Sequence, residues 1–208
     1  LDIETAGTYA TLEDMEQNNK TLFQLWDNTG DSYFRRHYVE DARLSSSELF
    51  KKYGALLPEF GRVVCISVGF LVEDGKKKLQ SFSKGSEKDI LTEMARLLVR
   101  VNNLDFTLCG HNINGINPPS LLPSHDTKPW EIKALDTKEM WNFGSFKGLS
   151  SLHLVCTLLG VDSPKLGEVK GSNIHKSFYT DNNIKEITEY CERDVDSLIE
   201  IVSKVKNL

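Results

Sequence analysis

One stretch constrains the fold more than any other. "RVVCISVGFLVE", beginning at Arg62, is rich in β-branched residues; "EDGK" follows as a turn, and "KLQSFS" then alternates apolar and polar side chains. Together they read as a β-hairpin. Close behind, "SEKDILTEMARLLVRV" opens on a capping box at Ser86 and Asp89 and sets Ile90, Met94, Leu97, Leu98 and Val101 on one helical face. A hairpin followed by an amphipathic helix has to bury both apolar faces against a core.

The remaining elements alternate around this pair. Residues 1–4 read as the tail of a strand. Residues 8–60 are polar and partly helical: Leu12, Met15, Phe23 and Trp26 fall on one face, and "SSSELFKKYGALL" supplies serine caps for another helix. "FTLCGHN" is a short buried strand entering a glycine turn, "IKALDT" a further strand, and "SSLHLVCTLLGV" a helix closed by Gly160. From Asp181 onward a long helix turns Ile187, Cys191, Val195, Leu198, Val202 and Val205 inward. This order predicts an α/β fold with a mixed sheet, in one domain over 1–208 that carries a helical insertion at about 8–60.

Composition narrows the class. The chain has 208 residues, 39% hydrophobic and 26% charged, which suits a globular protein with one substantial core, or at most a core plus a small subdomain, and argues against disorder. No run reaches the roughly 18 apolar residues of a membrane span, and no basic start with an apolar stretch marks a signal peptide. Cys65, Cys109, Cys156 and Cys191 are scattered through apolar stretches, which predicts buried thiols in a reducing cytoplasm. The net charge of −5 excludes grip on a partner by broad cationic attraction. "RRHY" at Arg35 and "KKK" at Lys76 read as solvated loops, and Trp26, Trp130 and Trp141 as packing residues. The missing initiator Met and the short first strand predict that residues precede Leu1 in the complete protein.

Acidic residues supply the chemistry. Asp2 and Glu4 stand one residue apart in a strand, so their side chains project to the same face. Like charges so close repel unless a cation lies between them; the plainer alternative is a strand end with two solvated acids. Near the other end, Tyr190 and Asp194 of "EYCERDVDSL" are four residues apart, one turn above the other, beside the apolar stripe. Either they are a hydrogen-bonded surface pair, or they add a third carboxylate and a phenol to the site of Asp2 and Glu4. The second option fits two-metal phosphodiester hydrolysis, where hard Mg²⁺ or Mn²⁺ ions take carboxylate ligands. The five histidines show no zinc spacing. A phenol with an unperturbed pKa near 10 is a poor base but can orient the attacking water.

These stretches resemble a known family. "DIET" at 2–5, "GHN" at 110–112 and "YCERD" at 190–194 stand in the order of the DEDD exonuclease superfamily, in its tyrosine-containing branch. "FGRVVCISVGF", "KPWE", "LDTKEMWNFG" and "LGVDSPK" resemble the stand-alone 3′–5′ exonucleases related to the proofreading domain of family B DNA polymerases. The resemblance implies an RNase H-like mixed sheet flanked by helices, two Mg²⁺ or Mn²⁺ ions, and hydrolytic removal of nucleotides from a single-stranded 3′ end of DNA or RNA. It assigns Asp2, Glu4 and Asp194 as metal ligands and Tyr190 as the residue that positions the water. Thr5 and Asn112 fall where substrate contacts belong.

One family ligand has no evident counterpart. An aspartate should follow "GHN", yet no acid occurs before Asp126. Aligned without a gap, Asn117 takes its place. Aligned with a gap after Ile113, "NGINPPSLL" matches the loop beyond a helix that is absent here. Two function classes follow: an active metal-dependent exonuclease, or a nuclease-like nucleic-acid-binding module with a weakened cage. An unrelated carboxylate enzyme such as a glycosidase would leave "YCERD" and "GHN" unexplained.

Overall fold

The computed structural model describes residues 1–71, 76–101, 107–113, 134–142, 150–163 and 168–206. In chain order these form β1 (Asp2–Gly7), α1 (Leu12–Asn18), α2 (Lys20–Leu25), α3 (Asp31–His37), α4 (Ser46–Tyr53), β2 (Gly61–Leu71) and β3 (Lys77–Phe82). There follow α5 (Glu87–Val101), β4 (Leu108–Gly110), β5 (Ala134–Asp136), α6 (Thr137–Trp141), α7 (Leu152–Leu159), α8 (Ile174–Tyr179) and α9 (Ile184–Lys206). The class is mixed α/β. The described strands pair as two sheets, β1-β2-β3 and β4-β5, where the sequence suggested one mixed sheet. No helix among the described residues is long and apolar enough to cross a membrane. The chain divides into two compact units.

The first unit comprises residues 1–3, 66–167 and 188–208. Its hairpin pairs β2 with β3 antiparallel, from Ile66 opposite Phe82 to Leu71 opposite Lys77. Alternation places Ser67 and Gly69 on the face that receives α9. A Cβ at Gly69 would come within 2.7 Å of Leu79 and Val195 and 2.8 Å of Ile199, so only glycine lets the helix settle this close. On the same face the Ser67 hydroxyl donates to Ser81 at 2.9 Å, because the Ser81 proton goes to Glu192 at 2.6 Å. Lys77 adds ion pairs to Asp196 and Glu200 of α9 at 2.6 and 2.7 Å. The lysine stretch therefore opens β3 rather than lying in a loop. α5 starts at the Ser86–Asp89 box and buries Ile90, Met94 and Leu98. α7 ends at Gly160, whose φ of 62° is left-handed, and its Val155 and Cys156 form a small core with Val161 and Ile201.

The second unit comprises residues 4–65 and 168–187, and it contains the helical stretch expected at 8–60. Its core is aromatic. Trp26 lies 5.1 Å from the rings of Phe50 and Phe60, each edge-on, and 5.8 Å from Phe34. Leu12, Met15, Leu49 and Tyr53 complete this cluster, and Phe23 packs against it only partly buried. Each fully buried side chain of this size contributes about 1.5–3 kcal/mol of transfer free energy. The Trp26 indole donates to Ser46 at 2.9 Å, which satisfies its one polar atom. Ser45 and Glu48 form the capping box of α4. Arg35 ends α3, donating to both oxygens of Asp31 and to the carbonyls of Ala42 and Leu44. "RRHY" is thus the last turn of a helix, and Arg35 is committed to holding the chain that follows it.

Candidate functional site

β1 carries Asp2 and Glu4. They offer carboxylate oxygens within 4.8 Å of one another, and Glu4 is buried while Asp2 is half-buried. Two solvated acids at a strand end do not describe this pair. Thr5 alternates to the opposite strand face, and its hydroxyl donates to the Ala55 carbonyl at 3.2 Å.

Within the first unit, α9 reaches β1 through Cys191. The Cys191 thiol donates to Asp2 Oδ2 across 3.3 Å. Cys191 is fully buried, and Asp194, three residues on, is 8% exposed on the next turn of the same inward face. Tyr190 borders that stripe half-buried, with the Arg193 guanidinium 5.9 Å from its ring centre. A residue of α9 that the sequence marked only as a core thiol thus stands against Asp2. Its buried position in "YCERD" was the available signal.

The "GHN" turn lies beside the same strand. The Leu1 nitrogen donates to the Cys109 carbonyl at 2.8 Å, and a Cβ at Gly110 would sit 3.0 Å from the Leu1 carbonyl oxygen. Beyond Gly110, Asn112 adopts φ 60°, a left-handed conformation that asparagine tolerates better than most residues. Its side-chain Oδ1 accepts from Lys138 Nζ at 3.0 Å.

Asp136 holds this turn. Parallel pairing of β4 with β5 sets Gly110 opposite Asp136. The carboxylate, 6% exposed, accepts three backbone N–H groups: Asn112 at 2.9 Å, Ile113 at 2.8 Å and Lys138 at 2.8 Å. Sequence reasoning placed Asp136 in a strand and gave it no role.

His111 braces the turn from its other side. Nε2 donates to the Ser150 carbonyl at 2.9 Å, and Nδ1 faces the Thr137 hydroxyl at 3.0 Å. That hydroxyl donates to the Gly110 carbonyl at 3.1 Å, so its single proton is not available to a neutral ring. A second ring proton would complete the set. Burial acts against it and pushes the His111 pKa below its usual value; the Ser150 bond and the charges of Asp136 and Asp2 oppose that shift, while Lys138 reinforces it.

Asn117, the ungapped candidate for the second-motif ligand, lies outside the described residues, as do the proposed gap after Ile113, Asp126 and Trp130. The four cysteines are thiols; Cys109 is half-buried and the other three are buried. Comparison with protein-family models, with curated proteins and with solved structures finds no match.

Proposed function

We propose that this protein is a metal-dependent 3′–5′ exonuclease with an RNase H-like arrangement of its α/β elements. The observation that carries the reading is the meeting of the first and last motifs: "YCERD" of α9 reaches the "DIET" strand through the bond from Cys191 to Asp2. The bond joins residues 189 positions apart, and Asp194 follows Cys191 by one turn on the same inward face of α9.

The two carboxylates of the Asp2, Glu4 and Cys191 group suit hard divalent cations of the Mg²⁺ or Mn²⁺ type, while its third member is the Cys191 thiol. Asp2 and Glu4 offer oxygens close enough to share an ion, and Asp194 stands buried one turn from Cys191. When bound, two such ions supply water activation and charge neutralisation at the leaving 3′ oxygen. Asp2 and Glu4 would hold them, with Asp194 closing the cage. Tyr190 would orient the attacking water through its hydroxyl. Asn112 would hold the terminal nucleotide of a single strand of DNA or RNA, in the cytoplasm; Thr5, turned to the other strand face and bonded to Ala55, would take no part.

A second reading, a nuclease-like binding module, draws on one observation. No acid lies between His111 and Asp126, and Asp136 spends its oxygens on backbone amides. The two readings part on product. The full-length protein with Mg²⁺ or Mn²⁺ should release mononucleotides from labelled single strands and stop when the metal is chelated. Retention of the strand without release of nucleotides would favour the binding module.

A further inference from the structure

We propose that Asp136 and Lys138 are positioning residues that set the conformation of Asn112 for contact with a nucleic-acid 3′ end; this rests on the exonuclease reading above. Asn112 is exposed and held at φ 60°, a conformation that costs a non-glycine residue free energy unless its surroundings impose it. The surroundings here are specific. Asp136 takes the successive amides of Asn112 and Ile113 on its two oxygens, which bends the backbone into the left-handed turn. The same carboxylate caps α6 through the Lys138 amide, so turn and helix share one anchor. Lys138 then reaches back from α6 and fixes Asn112 Oδ1 at 3.0 Å. With its oxygen held, the carboxamide presents its N–H donors in one orientation. Exposed N–H donors suit acceptors on a terminal nucleotide, its phosphate oxygens or base edge.

A helix cap alone does not need this arrangement. One amide suffices for a cap, whereas two of the three bonds here go to a turn 23 and 24 residues earlier. A side-chain clamp on Asn112 would be superfluous if only the backbone mattered. Asp136→Asn keeps the shape but sets an N–H₂ donor against a backbone N–H. Lys138→Met removes the bond to the Asn112 carboxamide together with the ammonium charge, and leaves the amide bonds to Asp136 in place.

Steady-state cleavage of a single-stranded oligonucleotide by the full chain with Mn²⁺ tests this, using the better of matched DNA and RNA substrates. Asp136→Asn is expected to raise KM about tenfold and Lys138→Met severalfold, each with a smaller change in kcat. Combined with Asn112→Ala, either should add less than twofold, because the residue acted on is already gone. Should Asp136→Asn fail to fold, Lys138→Met carries the same test. If the wild type binds the strand without cleaving it, dissociation constants replace KM with the same pattern expected. Unchanged KM in the positioning variants, or effects that multiply fully with Asn112→Ala, would overturn the inference alone. A wild type that neither binds nor cleaves would overturn it together with the exonuclease reading.

Discussion

The Cys191 thiol stands 3.3 Å from Oδ2 of Asp2, a sulfur donor beside a carboxylate proposed to hold a hard cation. Thiolates favour soft ions, and carboxylates hard ones. Cd²⁺ or Zn²⁺ should therefore stabilise the wild type against thermal unfolding more than they stabilise Cys191→Ser, while Mn²⁺ should treat the two alike. Equal Cd²⁺ responses in both proteins would remove Cys191 from the site.

Gly69 controls how closely α9 approaches the hairpin. Gly69→Ala places a methyl within 2.8 Å of Leu79, Val195 and Ile199, and overpacking of this kind costs about 1–3 kcal/mol. Urea unfolding should show that loss. The proposed nuclease activity should fall as well, since α9 carries Tyr190, Cys191 and Asp194. An unchanged midpoint would mean that α9 sits less tightly on β2 than described.

The acid response of the second unit should depend on His175. Its Nδ1 accepts the Gly7 amide at 3.1 Å and its Nε2 donates to the Ala10 carbonyl at 3.0 Å, an arrangement possible only for the neutral ring. Burial lowers its pKa from 6.5; the Ala10 bond opposes the shift, and the charge of Lys51 adds to it. The unfolded chain then takes up the proton more readily than the folded one. Stability from this residue is complete above about pH 6.5 and falls as the pH drops through the folded pKa. His175→Gln should flatten the decline of the urea midpoint between pH 7.5 and 5.5. Parallel declines in both proteins would count against this assignment.

Much of the fold was legible because its signals are local. The serine cap of α4, the Ser86–Asp89 box, the Gly160 cap and the hairpin alternation each lie within a few residues, and each forms as the sequence suggests. Contacts between distant segments were not legible. The clamp of Asp136 on the "GHN" turn, the thiol of Cys191 on Asp2, and the grip of His175 and Tyr179 on residues 7–10 all join segments that no periodicity relates. "RRHY" misled for a related reason: its charges look solvated until Asp31 and the carbonyls of Ala42 and Leu44 arrive to occupy Arg35. Of the candidate site, the strand pair and the helix motif were visible from residue types alone. The residues that hold the turn beside them were not.

Tyr190 and the proposed metal ligands should separate in kinetics. Tyr190→Phe keeps the ring under Arg193 and removes only the hydroxyl. Hydrolysis should slow by about a hundredfold, the low end for a side chain that handles the reacting water, with strand binding largely retained. A Tyr190→Phe protein with full activity would return the tyrosine to a packing role.

The most direct test of the account is the direction and metal dependence of degradation. Full-length protein is incubated with 5′-labelled single strands carrying either an open or a chemically blocked 3′ end, with Mg²⁺ or Mn²⁺ and with chelator, alongside Asp2→Ala. The account predicts stepwise shortening of the open strand from its 3′ end, dependent on the metal, and none with the blocked strand or with Asp2→Ala. Shortening that persists in Asp2→Ala, or the absence of metal-dependent shortening by the wild type, would contradict it.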